Sequence, residues 1–366
     1  MSAEMNIAVV GGGAAGIAAA VTAARAGCTT LLLDRRATVG GTGGFSGLTT
    51  LCGLYGGDGC LLNNGFTLEF VEAVSDSPPV KMGKVWVLPY HPERFCEVSK
   101  CFIAQMPNLQ TLCSVPLADV IMEGDRIVRL NGFNIGAVID CSGSAEVARA
   151  IGAVCLETDD TTQAPAIVFP LLNVRRSLST PAEVAQVLLP LARAGLSPLT
   201  FQPSVEPNTV TVKFTGRPDQ IGQVIECLRA HVSGFEKCET RSAEFVLAKR
   251  AGRMVIGEYV LTGADVLAGR KFPDAVSRCA WPIEQWNVKG VARLRYLPAG
   301  AYYEIPARSL RAARVENLFM AGKTISADVD AIASARVMGC CLATGAAAAK
   351  LAAQYLQSAR THAALL

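Results

Sequence analysis

Apolar positions along the chain fall into two kinds of run. The short ones are Asn6-Ile7-Ala8-Val9-Val10, 29–33, Gly136-Ala137-Val138-Ile139-Asp140 and Asn317-Leu318-Phe319-Met320-Ala321. They have strand length and lack the polar alternation of a strand that faces water. They predict strands covered on both faces, as in a parallel sheet. Longer Ala-rich runs, from Gly16 to about Ala26 and from about Ser334 to Leu356, predict helices. Between them, 92–106 is helix-like, and 109–130 is β-like with a turn at Glu123-Gly124-Asp125.

The middle of the chain changes character. From Cys155 to about Gly300 the pattern predicts strands over 166–174, 209–215 and 291–297. It predicts helices over 180–193, 220–232 and 243–250, with turn signals such as Gly216-Arg217-Pro218. The expected division is a discontinuous α/β domain, 1–154 plus 301–366, interrupted by a β-rich α+β domain at 155–300. Residues 55–92 are a further candidate contribution to the cap.

Composition narrows the class. Of 366 residues, 51% are hydrophobic and 18% charged, so the chain buries a large core and is not disordered. The net charge of +3 comes without any basic run longer than pairs such as Arg35-Arg36, which argues against nucleic acid as a partner. A mean hydropathy of +0.32 raises the question of a membrane. The most apolar stretches, 5–24 and 342–353, are broken by a glycine cluster and by Lys350, so no membrane span is expected. The start, Met1-Ser2-Ala3-Glu4, lacks the basic region of a secretory signal, and the expected location is cytoplasmic. Thirteen cysteines contain no CxxC pair, and the three histidines are His91, His231 and His362. No metal site is expected, and most cysteines are read as small buried apolar residues in a reducing compartment.

The chemistry begins at residue 11. The first strand runs into Gly11-Gly12-Gly13-Ala14-Ala15-Gly16, a helix and a second strand follow, and that strand ends at Asp34. This is the dinucleotide fingerprint in its required context. Gly11 permits the tight turn, Gly13 admits a pyrophosphate to the backbone, and Gly16 lets the helix pack closely. Amides at the helix N-terminus face the phosphates. Asp34 accepts hydrogen bonds from a ribose 2′-hydroxyl and repels a 2′-phosphate, which disfavours NADP. FAD and NAD both remain open on these residues alone.

The rest of the chain does not continue as an ordinary NAD-dependent dehydrogenase. A second glycine-rich segment, Gly40-Gly41-Thr42-Gly43-Gly44-Phe45-Ser46-Gly47, is expected to be too flexible for a helix, and the nucleotide domain resumes only in the last seventy residues. No second GxGxxG followed by a helix and an acidic residue occurs, and no CxxxxC redox pair lies beside Gly41. Cys52 and Cys60 are too widely spaced for one, and Cys340-Cys341 are read as packing.

With these blocks the sequence resembles the FAD-dependent oxidoreductases with the glutathione-reductase-type nucleotide fold. The resemblance rests on the fingerprint through Gly41-Thr42, on Val138-Ile139-Asp140-Cys141-Ser142-Gly143 and on 250–262. Further blocks are Phe272-Pro273-Asp274-Ala275, Trp281-Pro282-Ile283, 302–310 and 317–345. It implies a Rossmann-like FAD-binding domain, with a central parallel sheet and a three-stranded β-meander, and a non-covalent FAD extended across it. Carried over position by position, Gly11, Gly13, Ala15 and Gly16 contact the pyrophosphate, and Asp34 holds the adenosine ribose. Arg35 or Arg36 lines the adenine side, and Leu117 touches adenine. Gly41 and Thr42 approach the pyrophosphate and ribityl chain, and Gly143 lets the chain pass the cofactor. The stretch from Gly322 to Asp328 approaches the ribityl group. A helix N-terminus near Arg336, Val337 and Met338 faces the isoalloxazine pyrimidine edge, where it stabilises the charge of reduced flavin. Two blocks depart from the family: Ala251-Gly252 stand where relatives carry an acidic and a small polar residue, and Ser144-Ala145-Glu146 replace Gly-Asp-Gly.

The implied function is hydride transfer between a small organic substrate, an amine, amino acid or hydroxy acid, and flavin, with dioxygen or another acceptor taking the electrons. A tailoring monooxygenase and a non-catalytic flavin-holding subunit are the alternatives. Candidate substrate anchors are Arg250, Arg253 and Arg308, since the guanidinium fork suits a carboxylate. The competing role of each is an ion pair, for example with Glu258 or Glu304. Tyr302 or Tyr303 is placed to face the ring, Tyr303 being the chosen candidate. A catalytic base, if one is used, comes from His91, His231 or a tyrosine, with His91 otherwise a helix-entry residue and His231 solvated.

Overall fold

The computed structural model describes residues 4–161, 163–176, 178, 180–240 and 245–364. Its central sheet is built from the runs that the apolar pattern selects. Strands Leu109–Cys113, Thr30–Asp34, Glu4–Val10 and Phe133–Asp140 lie side by side and parallel in that order. Leu318–Met320 adds a parallel partner to the C-terminal half of Phe133–Asp140, in register Leu318 with Val138. The N-terminal end of the same strand turns antiparallel onto Arg126–Leu130, which pairs with Val120–Glu123. The third strand of the β-meander is therefore itself a strand of the parallel sheet. The expected turn at Gly124 is there, with φ +61°.

One face of this sheet is covered by two Ala-rich helices. Ala14–Arg25 has ten of its twelve residues buried, because it lies between the sheet and the long helix Met338–Ala364. A helix covered all round must be apolar all round, and small residues allow the close approach. A methyl added at Gly345 would sit 2.1 Å from the Ala15 carbonyl oxygen, so the two helices touch backbone to backbone there. The expected single helix beginning near Ser334 is two: Val329–Ala335 and Met338–Ala364, bent by 96° at Arg336-Val337. Together the pair passes a length-and-composition test for a broken membrane span, but among the described residues no single helix is long and apolar enough to cross a membrane.

A four-stranded antiparallel sheet stands apart with its own apolar core. Its order is Leu199–Pro203, Val210–Phe214, Ala166–Leu171, Val246–Ala248. Helices Pro181–Arg193 and Ile221–His231 pack on it around Phe169, Phe214, Leu228 and Phe235. The expected helix over 243–250 is overturned at Val246–Ala248, which pair with Ala166–Val168; residues 243 and 244 of it lie outside the described residues. An edge-strand partner outweighs the helix propensity of so short a segment. The strand Leu199–Pro203 has no counterpart in the sequence reading.

Much of the stretch 254–310 belongs to the other core. Met254, Leu261, Phe272, Ile283 and Ile305 join the cluster that holds Ile17 and Leu342. Phe66, Phe70 and Tyr90, from the segment weighed as cap, join it as well. The glycine-rich segment after Val39 is not merely loop: Gly41–Phe45 forms one helical turn. Of the thirteen free thiols five are buried, six are half-buried, and Cys60 and Cys101 are exposed, so fewer are core residues than composition suggests.

Candidate functional site

The fingerprint turn is held by contacts that only glycine allows. Gly11 has φ +104°, and a Cβ there would meet the Cys141 carbonyl oxygen at 2.5 Å. Gly16 lies against the Gly11 carbonyl oxygen, which a Cβ would approach to 1.7 Å. Gly13 is different: its nearest neighbour to a Cβ is Gly41 Cα at 3.7 Å, so its outer side is open. Asp34 ties the second strand to this turn. Its Oδ2 accepts from the Gly12 amide at 2.6 Å and its Oδ1 from the Arg36 amide at 2.7 Å.

Asp140 organises the opposite wall. It is fully buried, and its carboxylate accepts from the Ser142 amide and hydroxyl and from the Val147 and Ala148 amides. Burial pushes its carboxyl above the usual range, against the lowering effect of those bonds. The turn Cys141-Ser142-Gly143-Ser144 is thereby fixed beside the fingerprint. The chain then returns from the far end of the sequence: the Gly322 amide donates to Thr344 Oγ1, Thr324 Oγ1 donates to the Asp140 carbonyl, and a Cβ on Gly322 would lie 3.0 Å from Ala15 Cβ.

These elements enclose one groove of about 510 Å³. Gly11, Gly13, Ala15, Asp34, Arg35, Arg36, Gly41, Thr42, Leu117, Gly143, Gly322, Arg336 and Met338, all selected from the sequence, line it. The chain's opening turn and its closing helix therefore share a single cleft. Gly16 lies behind the wall, where its role is packing. Asp328 is also outside: it caps the helix Val329–Ala335 through the Ala331 amide and accepts from the Gly263 amide. Val337 packs against Gly53.

The three expected catalytic side chains are not brought to the groove. Arg253 pairs with Glu157 and Arg308 with Asp274, neither of them the acidic partner weighed from the sequence, and both arginines point to the surface. Tyr303 is completely buried, its hydroxyl 2.9 Å from Ser334 Oγ. Tyr302 lies under the Lys271 ammonium. His91 and His231 are exposed at helix ends.

Lys323 is among the lining residues that were not singled out from the sequence. It sits between Gly143 and Ala251, and its ammonium donates to the Ala251 carbonyl at 3.4 Å. Burial, with Arg336, Arg36 and Arg35 in range, lowers its pKa to about 8. Its signal was its place immediately after Gly322, within a stretch already assigned to the cofactor. From the second sheet, Leu247, Ala248, Lys249 and Ala251 close the groove.

The family model described as FAD dependent oxidoreductase matches residues 6–209 and 198–365. The chain belongs to the FAD-dependent oxidoreductases. It is an enzyme of that family, and its cofactor is FAD. Among solved structures it is similar to a geranylgeranyl bacteriochlorophyll reductase-like protein from Thermoplasma acidophilum, with 12% identity and a TM-score of 0.57 over 98% of this chain and 80% of that one. It is also similar to an aromatic hydroxylase from angucycline biosynthesis, at 12% identity and TM-score 0.55 over 96% of this chain. A third is the anhydrotetracycline hydroxylase of Streptomyces rimosus, at 12% and 0.52 over 98%. The chain covers 63% of the length of each hydroxylase. At these identities the likeness is one of fold. No curated protein is significantly similar in sequence.

The residues present fit an FAD. The groove's volume falls in the range of about 300–1,000 Å³ usual for cofactor sites. Asp34, with two acceptor oxygens, stands at one end for the ribose, and the open side of Gly13 leaves the middle free for phosphates. At the other end Arg336 Nε is buried with no hydrogen-bond partner, a donor waiting for an acceptor. The carbonyl and ring-nitrogen edge of an isoalloxazine would supply one.

Proposed function

We propose that the enzyme oxidises a C–H bond of a small organic substrate, its electrons leaving to dioxygen or another acceptor. Bound FAD supplies the two-electron acceptor for the hydride. The observation that carries the reading is the groove itself, which runs from Asp34 to Arg336 and Met338 and is closed there by Leu247, Ala248 and Lys249. Domain junctions of this kind are where substrate pockets form.

The protein's own groups hold and orient. Asp34 anchors the adenosine end, Lys323 places positive charge beside the groove, and Arg336 presents a buried donor to the ring end. Hydrogen bonds fix the second sheet against the glycine segment: Thr49 donates to the Pro203 carbonyl at 2.9 Å, and Gln202 Nε2 donates to Thr50 Oγ1 at 2.6 Å. Among the described residues no histidine lines the groove. The partners are a small-molecule substrate and an electron acceptor, and the proposed location is the cytoplasm.

Anaerobic mixing of the yellow holoenzyme with amines, amino acids and hydroxy acids tests this, read as bleaching of flavin absorbance. Bleaching by one class, reversed by air or an added acceptor, supports the reading. A flavin that no member of these classes reduces contradicts it. Hydroxylation is the second reading, favoured by fold likeness to two hydroxylases. It is distinguished by incorporation of labelled oxygen into product when an external reductant is supplied.

A further inference from the structure

Three cations surround one carboxylate where the second sheet, the hairpin Ile283–Trp286 and the break between the last two helices meet. Lys213, Arg250 and Arg336 all act on Glu284. Burial alone would raise that carboxyl, but Lys213 and Arg336 hold it below its ordinary value.

Both oxygens of Glu284 are already engaged. Trp281 Nε1 donates to one at 2.9 Å and Trp286 Nε1 to the other at 2.7 Å. The cations are left without a directly bonded counter-ion: among the described residues none of the three forms an ion pair. Arg250 stacks over the Trp286 ring, 4.4 Å from its centroid, and donates to the Ala164 carbonyl. Lys213 Nζ lies 5.5 Å from the same ring. Arg336 donates to Gln163 Oε1 at 3.2 Å and to the Glu284 carbonyl at 3.3 Å.

Three positive charges about one negative leave an excess of two at a half-buried site. Such an excess is costly unless an anion completes it. Yet Lys213, Arg250, Glu284 and Arg336 each retain partial exposure, so the cluster is open to solvent and to an anion in it. The aromatic and amide partners fix the side chains beforehand, so an incoming anion meets a preorganised set of donors. Guanidinium forks match the planar geometry of a carboxylate.

We propose that this cation cluster binds the carboxylate of the substrate, which makes the substrate an organic acid and excludes simple amines and alcohols. The inference rests on the flavin reading above, because Arg336 also lines the cofactor groove and sets the acid beside the ring end.

Titration of the holoenzyme with acetate, glycolate and benzoate, each against its primary amide and against benzylamine, tests it. Trp281 and Trp286 fluorescence reports binding, and flavin absorbance reports proximity to the ring. The expected result is saturable binding of acids, on the order of tenfold tighter than their amides, weakening with ionic strength. Lys213→Met and Arg250→Lys should weaken acid binding while flavin content stays at the wild-type level, which shows that the variants fold. Amides or benzylamine binding as tightly as the acids, or unchanged acid affinity in both flavin-loaded variants, overturns the proposal. If the protein holds no flavin, the preceding reading fails by itself, and the tryptophan signal still decides whether the cluster takes acids.

Discussion

Asp34 Oδ2 accepts a hydrogen bond from the Gly12 amide at 2.6 Å, joining the end of the second strand to the middle of the glycine turn. The same side chain that is to hold the adenosine ribose therefore also shapes the loop that admits the phosphates. Asp34→Ala removes both this bond and the one from the Arg36 amide. Bonds to a charged group contribute about 1.5–3 kcal/mol each, so flavin affinity should fall by at least about tenfold. Fluorescence titration of released and re-added FAD checks this, and unchanged affinity would remove Asp34 from the site.

Gly16→Ala tests the packing role assigned to a residue that does not line the groove. A methyl there falls 1.7 Å from the Gly11 carbonyl oxygen, and backbone cannot rotate away as a side chain can. The helix must shift, at a cost toward or beyond the upper end of about 1–3 kcal/mol. A lower thermal midpoint together with poor flavin retention is expected; a variant with wild-type melting and flavin content would contradict the packing.

Flavin affinity should depend on pH through Lys323. Its pKa of about 8 in the free protein rises when an anionic diphosphate occupies the groove, so binding above that pH takes up a proton. Affinity is then level below about pH 8 and weakens above it, by up to about tenfold per unit until the bound-state pKa is reached. Dissociation constants measured from about pH 7 to pH 9.5 should show this slope, and Lys323→Met should abolish it. Equal slopes in the two proteins would place the titration elsewhere.

Arg253→Gln and Arg308→Gln should leave flavin content and reduction rate within about twofold of wild type, because each ends in an exposed ion pair of small worth. Tyr303→Phe deletes a buried bond to Ser334, so a drop of about 1 kcal/mol in stability is expected with the reduction rate retained. A large fall in rate at any of the three would restore it to the catalytic machinery.

The parallel sheet was legible because continuous apolar runs and glycine spacing are local signals. Ile7–Val10, Val138–Asp140 and Leu318–Met320 announce two-sided burial wherever they lie. Of the groove residues, Gly11, Gly13 and Asp34 were legible from the fingerprint itself, while the others named in advance, from Ala15 to Met338, came from the family resemblance. Val246–Ala248 was not legible, since a three-residue strand exists only through its partner Ala166–Val168, eighty residues away. Arg250 was named from the sequence as a carboxylate anchor and Arg336 as a flavin-edge residue, but their assembly with Lys213 and Glu284 was not legible. Its members come from four distant segments, and what distinguishes them is how Trp281 and Trp286 occupy the carboxylate, a fact of three-dimensional contact. The Glu157 and Asp274 partners of Arg253 and Arg308 were not legible, because an arginine's partner cannot be read from its neighbours in the chain.

The central claim is that a groove between the opening turn and the closing helix holds one extended FAD. Quantitation of nucleotide released by heat from purified protein tests it most directly. The account expects a yellow protein giving close to one intact FAD per chain, taken up again by the stripped protein but not by Asp34→Ala at the same concentration. A colourless protein that ignores FAD and retains NAD would contradict it.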